Sequence, residues 1–286
     1  MEQTIIHSEK IGGHLVIIGG AEDKYTERRI LKKFVKLAGA DNAKILIVPV
    51  ASDFPEFAAD IYTQTFRKLN IQTDHVRVLR ATSRQEILDV DAQALLDGVT
   101  GVFISGGDQM RLVSLLGGTP FAQQLSEKVR TTNLVLAGSS AGAAGMSNSM
   151  IVRGDGVPSP HVGSVRISPG LGILQNIIID QHFTERGRIS RLITAVSYNP
   201  QNLGIGIDEN TAVVLDDKGF LEVVGSGTVT IVDGSAVSYN DIAEVGEKAA
   251  FAVAGMQIHI LRDGLRYDYA NRQFVPVRGE FLLPEI

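Results

Sequence analysis

Up to residue 201, short runs of apolar and largely β-branched residues alternate with amphipathic stretches. The apolar runs are continuous, as in strands buried on both faces, and the helix-length intervals between them favour right-handed βαβ crossovers. Strands are predicted at residues 15–18, 45–50, 76–79, 102–104, 134–136 and 177–180, and helices at 26–37 and 57–69, with further helices between the later strands. This part of the chain is therefore predicted to be doubly wound α/β, with a largely parallel sheet.

The pattern changes after residue 201 to closely spaced strands, predicted at 204–207, 212–215, 221–224, 228–232 and 257–261. Turn sequences such as Asp233-Gly234 and Asp263-Gly264 separate them and favour antiparallel hairpins that close or extend the sheet. No linker rich in Pro, Ser or Gly divides the chain. One domain is therefore predicted over residues 1–286, with 1–210 as a catalytic α/β core and 211–286 as its antiparallel β-rich C-terminal part.

Composition removes several classes of function. The 286 residues include 27 Lys and Arg against 32 Asp and Glu, a net charge of −5 that argues against a nucleic-acid partner. With no cysteine, disulfides, iron–sulfur clusters, Cys zinc sites and Cys nucleophiles are excluded. No His-Glu-x-x-His cluster points to a metal, and no cofactor is expected. The chain shows neither a secretory signal pattern nor a membrane-length apolar run, so we expect no membrane partner and a cytoplasmic location.

The sequence Gly138-Ser139-Ser140-Ala141-Gly142 directly follows a predicted buried strand. Gly-x-Ser-x-Gly between a strand and a helix is typical of a nucleophile elbow, in which a tight turn exposes the serine hydroxyl. The Ala141 amide at the helix start would then donate to an oxyanion. A small-residue turn that only packs is the alternative.

A serine nucleophile needs a base and an acid. His182 follows the predicted strand 177–180 at its carboxyl end, where open α/β sheets place ligands, although a structural histidine is the alternative. Asp208 and Glu209 end the strand at 204–207, and either of them can orient the imidazole. The chain order of serine, histidine and acid differs from that of the α/β-hydrolases and argues against a plain esterase.

Two further glycine turns, at residues 19–24 and 105–109, follow earlier strands. We expect them to face the substrate, with the Gly107 and Asp108 backbone supplying a second oxyanion donor. Neither turn has the spacing of a dinucleotide-binding loop, and both carry acids where a pyrophosphate would lie. The arginines after His182, namely Arg186, Arg188 and Arg191, either bind a substrate carboxylate or pair with Asp180, Glu185 or Glu209.

Together these motifs resemble the cyanophycinase family, serine peptidases of the dipeptidase E-like class (peptidase family S51). The matching segments are Gly-Gly-Ala-Glu-Asp-Lys at 19–24, Gly-Gly-Asp-Gln at 106–109, Gly-Ser-Ser-Ala-Gly-Ala at 138–143, Pro-Gly-Leu-Gly-Ile-Leu at 169–174, Asp-Gln-His-Phe at 180–183 and Gly-Ile-Asp-Glu at 206–209. Ser139 stands where the family commonly has threonine, a conservative departure. The resemblance is thin after residue 232.

The resemblance implies that Ser140 is the nucleophile, His182 the base and Glu209 the acid. The substrate pocket it implies is formed by Gln109, Asp180, Gln181, Arg186, Arg188 and Arg191. The implied reaction is hydrolysis of cyanophycin, multi-L-arginyl-poly-L-aspartate, to β-aspartyl-arginine through an acyl-enzyme, without a cofactor and in a homodimer. Recognition of the arginine side chain is expected from Glu22, Asp23 and Asp108, acids placed at predicted strand ends.

Two alternatives of different kinds stay open. The first is a dipeptidase E-like or isoaspartyl-peptide hydrolase that acts on short peptides and not on the polymer. The second is a non-catalytic protein that binds arginine-containing peptides. Glutamine amidotransferases, which have this type of sheet, use a cysteine nucleophile and are excluded by the composition.

Overall fold

The computed structural model describes residues 11–154, 156 and 159–276. The strands are β1 (His14–Ile18), β2 (Ile45–Val48), β3 (Val76–Val78), β4 (Gly101–Ile104), β5 (Val135–Ser139), β6 (Ser149–Arg153), β7 (Arg166–Pro169), β8 (Ile177–Gln181), β9 (Leu203–Ile207), β10 (Thr211–Leu215), β11 (Phe220–Gly225), β12 (Thr228–Asp233), β13 (Tyr239–Asn240), β14 (Val253–Ala254), β15 (Gln257–Arg262), β16 (Arg266–Asp268) and β17 (Gln273–Val275). The α-helices are α1 (Arg29–Leu37), α2 (Pro55–Arg67), α3 (Arg84–Leu88), α4 (Ala92–Leu96), α5 (Gln109–Leu116), α6 (Pro120–Thr131), α7 (Ala141–Ala144) and α8 (Ile189–Tyr198).

Two sheets carry the fold. The larger has nine strands in the order β17-β16-β11-β10-β1-β5-β4-β2-β3, in which the run from β1 to β3 is parallel and the other four strands are antiparallel. The second sheet has the order β15-β12-β9-β8, with β8 and β9 parallel. The predicted α/β class, a largely parallel sheet with an antiparallel C-terminal part, is confirmed.

The central strands are buried on both faces, as their continuous apolar sequences predict. On β1, Leu15 and Ile17 belong to one hydrophobic core, while Val16 and Ile18 belong to the core on the opposite face of the sheet. The longest helix of the described residues, α2, has 13 residues and is too short to cross a membrane.

The structure differs from the sequence-based expectation in two details near the site. The predicted strand at 177–180 forms β8 of the second sheet and does not join the larger one. Helix α1 begins at Arg29 instead of residue 26, because the Asp23 carboxylate accepts the backbone N–H groups of Tyr25, Thr26 and Arg28 and keeps that segment in a turn.

The two sheets meet at the loop after β1. The His182 N–H donates to the Gly19 carbonyl (2.8 Å) and the Asn210 N–H donates to the Gly20 carbonyl (2.8 Å), so the residues that follow β8 and β9 are fastened to the end of β1. The Ser140 N–H donates to the Ile18 carbonyl (3.0 Å) at the same edge. The carboxyl ends of strands from both sheets therefore converge at one place.

Candidate active site

Ser140 occupies a strained turn between β5 and α7. Its backbone angles are φ 50° and ψ −106°, a conformation that L-residues rarely adopt and that costs of order 1–3 kcal/mol. The bond from its N–H to Ile18 holds this conformation in place. The geometry is that of a nucleophile elbow, with the hydroxyl raised above the strand ends.

His182 and Glu209 extend in line from this hydroxyl. The Ser140 Oγ lies 2.9 Å from the His182 Nε2, and the His182 Nδ1 lies 2.6 Å from the Glu209 Oε1. An ionised carboxylate only accepts hydrogen bonds, so Nδ1 carries the proton and Nε2 is left as the acceptor that faces the serine. The imidazole fits closely because Gly20 has no Cβ, since a Cβ there would lie 2.4 Å from the ring.

Asp208, the other candidate acid, is engaged elsewhere. It is buried, and its carboxylate accepts the backbone N–H and the hydroxyl of both Thr184 and Thr228, at 2.8–3.1 Å. These bonds join the residues after β8 to the start of β12. The alternative that the residues alone leave open is thus resolved geometrically in favour of Glu209 as the partner of His182.

Three backbone positions were expected to hold an oxyanion. In the part of the chain that the structure describes, neither the Ala141 nor the Gly107 amide donates to a protein acceptor, and Gly107 lines the cavities beside Ser140. The Asp108 amide donates to the Ala51 carbonyl (2.9 Å), and its carboxylate caps α5 through the Arg111 N–H (2.7 Å). The expectation that the Asp108 backbone is an oxyanion donor is therefore wrong.

The acids expected to recognise arginine are occupied by protein donors. The Asp108 carboxylate caps α5 through the Arg111 N–H. Asp23 accepts the Thr26 hydroxyl (2.6 Å) in addition to three backbone amides. Those hydrogen bonds, the one from Thr26 first, hold the pKa of Asp23 well below its usual range. Both carboxylates shape loops, and neither residue lines the cavities beside Ser140. Substrate binding by these acids stays a prediction.

Glu22 lines a cavity of about 440 Å³ beside Ser140, but its side chain is buried. Its Oε1 accepts the Tyr62 hydroxyl (2.5 Å) and lies 2.8 Å from the Lys24 Nζ, while its Oε2 accepts the Ser139 hydroxyl (2.5 Å). Burial and the Glu22 carboxylate raise the pKa of Tyr62 well above its ordinary value, so this phenol remains a donor. Glu22 therefore links Tyr62 in the cavity wall to Ser139, the residue before the candidate nucleophile. The Lys24 ammonium balances the charge of its carboxylate.

A cavity of about 410 Å³ beside Ser140 is strongly cationic, because four of its lining residues are arginines. These are Arg153, Arg186, Arg188 and Arg191. Asp180 is fully buried, and its Oδ2 accepts the Arg191 Nε (2.7 Å), while its Oδ1 lies 3.4 Å from the Arg188 Nη1. Asp180 thus orients two arginines, and its single charge leaves the cavity with an excess of positive charge.

The other cavity residues have distinct positions. Arg186 and Arg153 have no ion-pair partner among the described residues. Gln109 and Gln181 also line the cavity, and the Gln109 Nε2 is held by the Ile151 carbonyl (2.9 Å). Sequence reasoning missed Arg153, which lies at the end of β6, a strand that the sequence analysis did not predict. Within the described ranges, no group of His, Asp and Glu has a metal-binding arrangement.

Comparison with known proteins identifies the family of the chain. The model of peptidase family S51 matches residues 15–223. The chain is 40% identical over 265 residues to a cyanophycinase of Geminocystis herdmanii, covering 93% of this chain and 96% of the relative. It is 39% identical over 262 residues to a cyanophycinase of Trichormus variabilis, covering 92% and 87%.

Among solved structures, a peptidase from an acI-B1 actinobacterium superposes with a TM-score of 0.67 at 23% identity, covering 91% of this chain and 98% of that one. That likeness concerns the fold. The family match spans β1 to β11 and so includes the strained serine, the imidazole and the carboxylate in line with it. The chain belongs to peptidase family S51.

Proposed function

We propose that this protein is a serine-type peptidase that hydrolyses cyanophycin to β-aspartyl-arginine dipeptides. The observation that carries the proposal is the line from Ser140 through His182 to Glu209 at the mouth of an arginine-lined cavity. The two cyanophycinase relatives, which the chain covers almost completely, support this choice of substrate over other peptides.

In the proposed mechanism, the Ser140 Oγ attacks an α-peptide carbonyl of the aspartate backbone while the His182 Nε2 accepts its proton. Glu209 stabilises the resulting imidazolium through Nδ1. The amides of Ala141 and Gly107 donate to the oxyanion. Collapse of the tetrahedral intermediate transfers the proton from His182 to the leaving amine, and the serine ester that remains is hydrolysed by water, which His182 deprotonates in turn.

The cationic cavity is assigned to a substrate carboxylate. Arg188 and Arg191 are held rigidly by Asp180, and Arg186 and Arg153 add charge that no described acid neutralises. A guanidinium binds a carboxylate through two parallel hydrogen bonds, and such binding fixes the peptide relative to Ser140. Gln109 and Gln181 lie where they can bond the same group.

Incubation of the purified protein with cyanophycin, followed by mass spectrometry of the soluble products, tests the proposal. The expected product is the β-aspartyl-arginine dipeptide, with Ser140→Ala as the inactive control. Cleavage of short isoaspartyl peptides without release from the polymer would favour the dipeptidase alternative. Binding of the polymer without any hydrolysis would favour the non-catalytic one.

A cytoplasmic homodimer is part of the same proposal and follows from the resemblance. Sedimentation velocity at several protein concentrations tests the dimer, which predicts a species of twice the 30.8 kDa chain mass. Fractionation of cells that express the tagged protein tests the location. A monomer at all concentrations would contradict the first expectation.

A further inference from the structure

Three large aromatic side chains stand exposed on, or next to, the two segments, 21–24 and 57–62, that form one wall of a second cavity at Ser140. Tyr25 is 72% exposed, Phe54 73% and Phe57 67%. Phe57 lines this cavity of about 440 Å³, which also contacts Ser140, His182 and Arg186. Single exposed apolar residues need no explanation, but aromatic rings gathered beside a catalytic cavity mark a contact surface.

The rings belong to two neighbouring segments. Phe54 directly precedes α2 and Phe57 lies in its first turn, so the two exposed rings lie at the same end of this helix. Further along α2, Tyr62 lines the same cavity. The Lys24 Nζ lies 5.2 Å from the centre of the Tyr62 ring, and Tyr25 is the next residue in the chain.

This wall already holds one cation. The Lys24 ammonium lies over the Tyr62 ring and 2.8 Å from the Glu22 carboxylate, the combination of aromatic face and acid that suits a positive group. Because Lys24 already balances Glu22, a further cation on this wall would need other acids.

Exposed acids accompany the rings. Asp53 and Asp60 flank Phe54 and Phe57 along the chain, are exposed, and have no partner within the described part of the protein. Glu56, between them, is paired with Arg80. We call Tyr25, Phe54 and Phe57, together with Asp53 and Asp60, the aromatic rim.

We propose that the aromatic rim binds arginine side chains of cyanophycin units that lie outside the unit being cleaved. The inference rests on the proposed function, because that polymer carries a guanidinium on each repeat. A planar guanidinium stacks on an aromatic face and pairs with a carboxylate, and both groups stand on the rim. Two or more such contacts on one chain favour long substrates over short ones without new contacts at Ser140.

The test compares Tyr25→Ala, Phe54→Ala and the double variant on two substrates: long cyanophycin, and the shortest arginyl β-aspartyl oligomer that is turned over. At exposed sites each ring contributes about a two- to fivefold effect. We therefore expect the KM ratio of polymer to oligomer to rise about two- to fivefold for each single variant and about tenfold for the double. Phe54→Tyr is expected to keep the wild-type ratio.

Tyr239→Ala is the matched control, since Tyr239 is 53% exposed and lines neither cavity beside Ser140. The charge component is tested with Asp53→Asn combined with Asp60→Asn, which should raise the polymer KM at low salt and weaken its salt dependence. Near-ultraviolet circular dichroism and Tm establish that each variant is folded.

Equal changes for both substrates, or no change for the polymer, would overturn the proposal. A ring variant that turns a dimer into a monomer in sedimentation would also overturn it, by assigning the rim to a second copy of this chain. Co-sedimentation of Ser140→Ala with insoluble cyanophycin, with and without Phe54→Ala, measures rim binding independently of turnover. Failure of the wild-type protein to cleave cyanophycin would instead contradict the proposed function.

Discussion

Among single residues, the two adjacent serines at the elbow have different surroundings. The Ser139 hydroxyl donates to Glu22, whereas the Ser140 hydroxyl faces the His182 Nε2. We expect Ser140→Ala to lower peptidase activity by several orders of magnitude with Tm unchanged, as deletions of a catalytic nucleophile do. A fluorophosphonate probe should label Ser139→Ala but not Ser140→Ala. Labelling of Ser139 in the Ser140→Ala variant would contradict the assignment.

Variants of the two acids that follow β9 should differ in effect, one lowering activity and the other lowering stability. Glu209→Gln removes the negative charge beside Nδ1, and we expect kcat to fall roughly 10- to 10⁴-fold with little change in Tm. Asp208→Asn disturbs a buried carboxylate that accepts four hydrogen bonds, and about 1–3 kcal/mol of stability should be lost. Steady-state kinetics and thermal denaturation of both variants check this. The reverse pattern would make Asp208 the acid.

Asp23 predicts a pH dependence of stability. Its hydrogen bonds lower the pKa in the folded state below the unfolded value of about 3.9, so the ionised group stabilises the fold above that pH. This contribution is lost as pH falls through the folded-state pKa. We expect Asp23→Asn to have a lower Tm than the wild type at pH 7, and the difference to shrink below about pH 4. Thermal denaturation at pH 7, at pH 3.5 and at about pH 2.5 measures it, and a difference independent of pH would contradict the assignment.

These residues show which parts of the candidate site can be predicted from sequence motifs. The motifs single out Ser140 and His182 and leave Asp208 and Glu209 open, and the family resemblance chooses Glu209. The structure brings Ser140, His182 and Glu209 into line, although their catalytic roles remain predictions. For the acids of the glycine turns, a sequence does not show whether a carboxylate faces outwards or receives neighbouring amides. Asp23 and Asp108 do the latter.

Among the elements, α7 depends on glycine for its close approach to the sheet. A Cβ on Gly142 would lie 2.4 Å from the Ile104 carbonyl oxygen, a backbone atom that cannot move aside. We expect Gly142→Ala to cost about 1–3 kcal/mol and to displace Ser140, lowering both Tm and kcat. Gly246→Ala is the control, because nothing lies within 4 Å of its Cβ position. Wild-type Tm and kcat in Gly142→Ala would contradict this account of the elbow.

The larger sheet was predicted better than the second one. The runs that became β1, β2, β4 and β5 are apolar at every position because each strand faces two cores. The run of β8 begins with three buried isoleucines, so its sequence does not distinguish one sheet from the other. Strand β7 is half exposed and ends at Pro169, and it carries no apolar pattern that predicts a strand.

In the molecule as a whole, the β-rich part after residue 210 is built into both sheets. Strand β10 pairs with β1 and β11, while β12 pairs with β9 and β15. Removing this part would leave β1 and β9 as edge strands, and loops of the candidate site follow both strands. The division at residue 210 does not separate one sheet from the other.

This connectivity predicts how the molecule unfolds. The loop after β1 is bonded to the residues after β8 and β9, and both sheets contain strands from before and after residue 210, so neither part retains its core alone. We propose that residues 1–286 form one domain and expect a single thermal transition with coincident midpoints by far-ultraviolet and near-ultraviolet circular dichroism, the latter reporting tyrosine because the chain has no tryptophan. A calorimetric enthalpy equal to the van't Hoff value is expected as well. Two resolved transitions, or a fragment 1–210 that unfolds cooperatively by itself, would contradict the single domain.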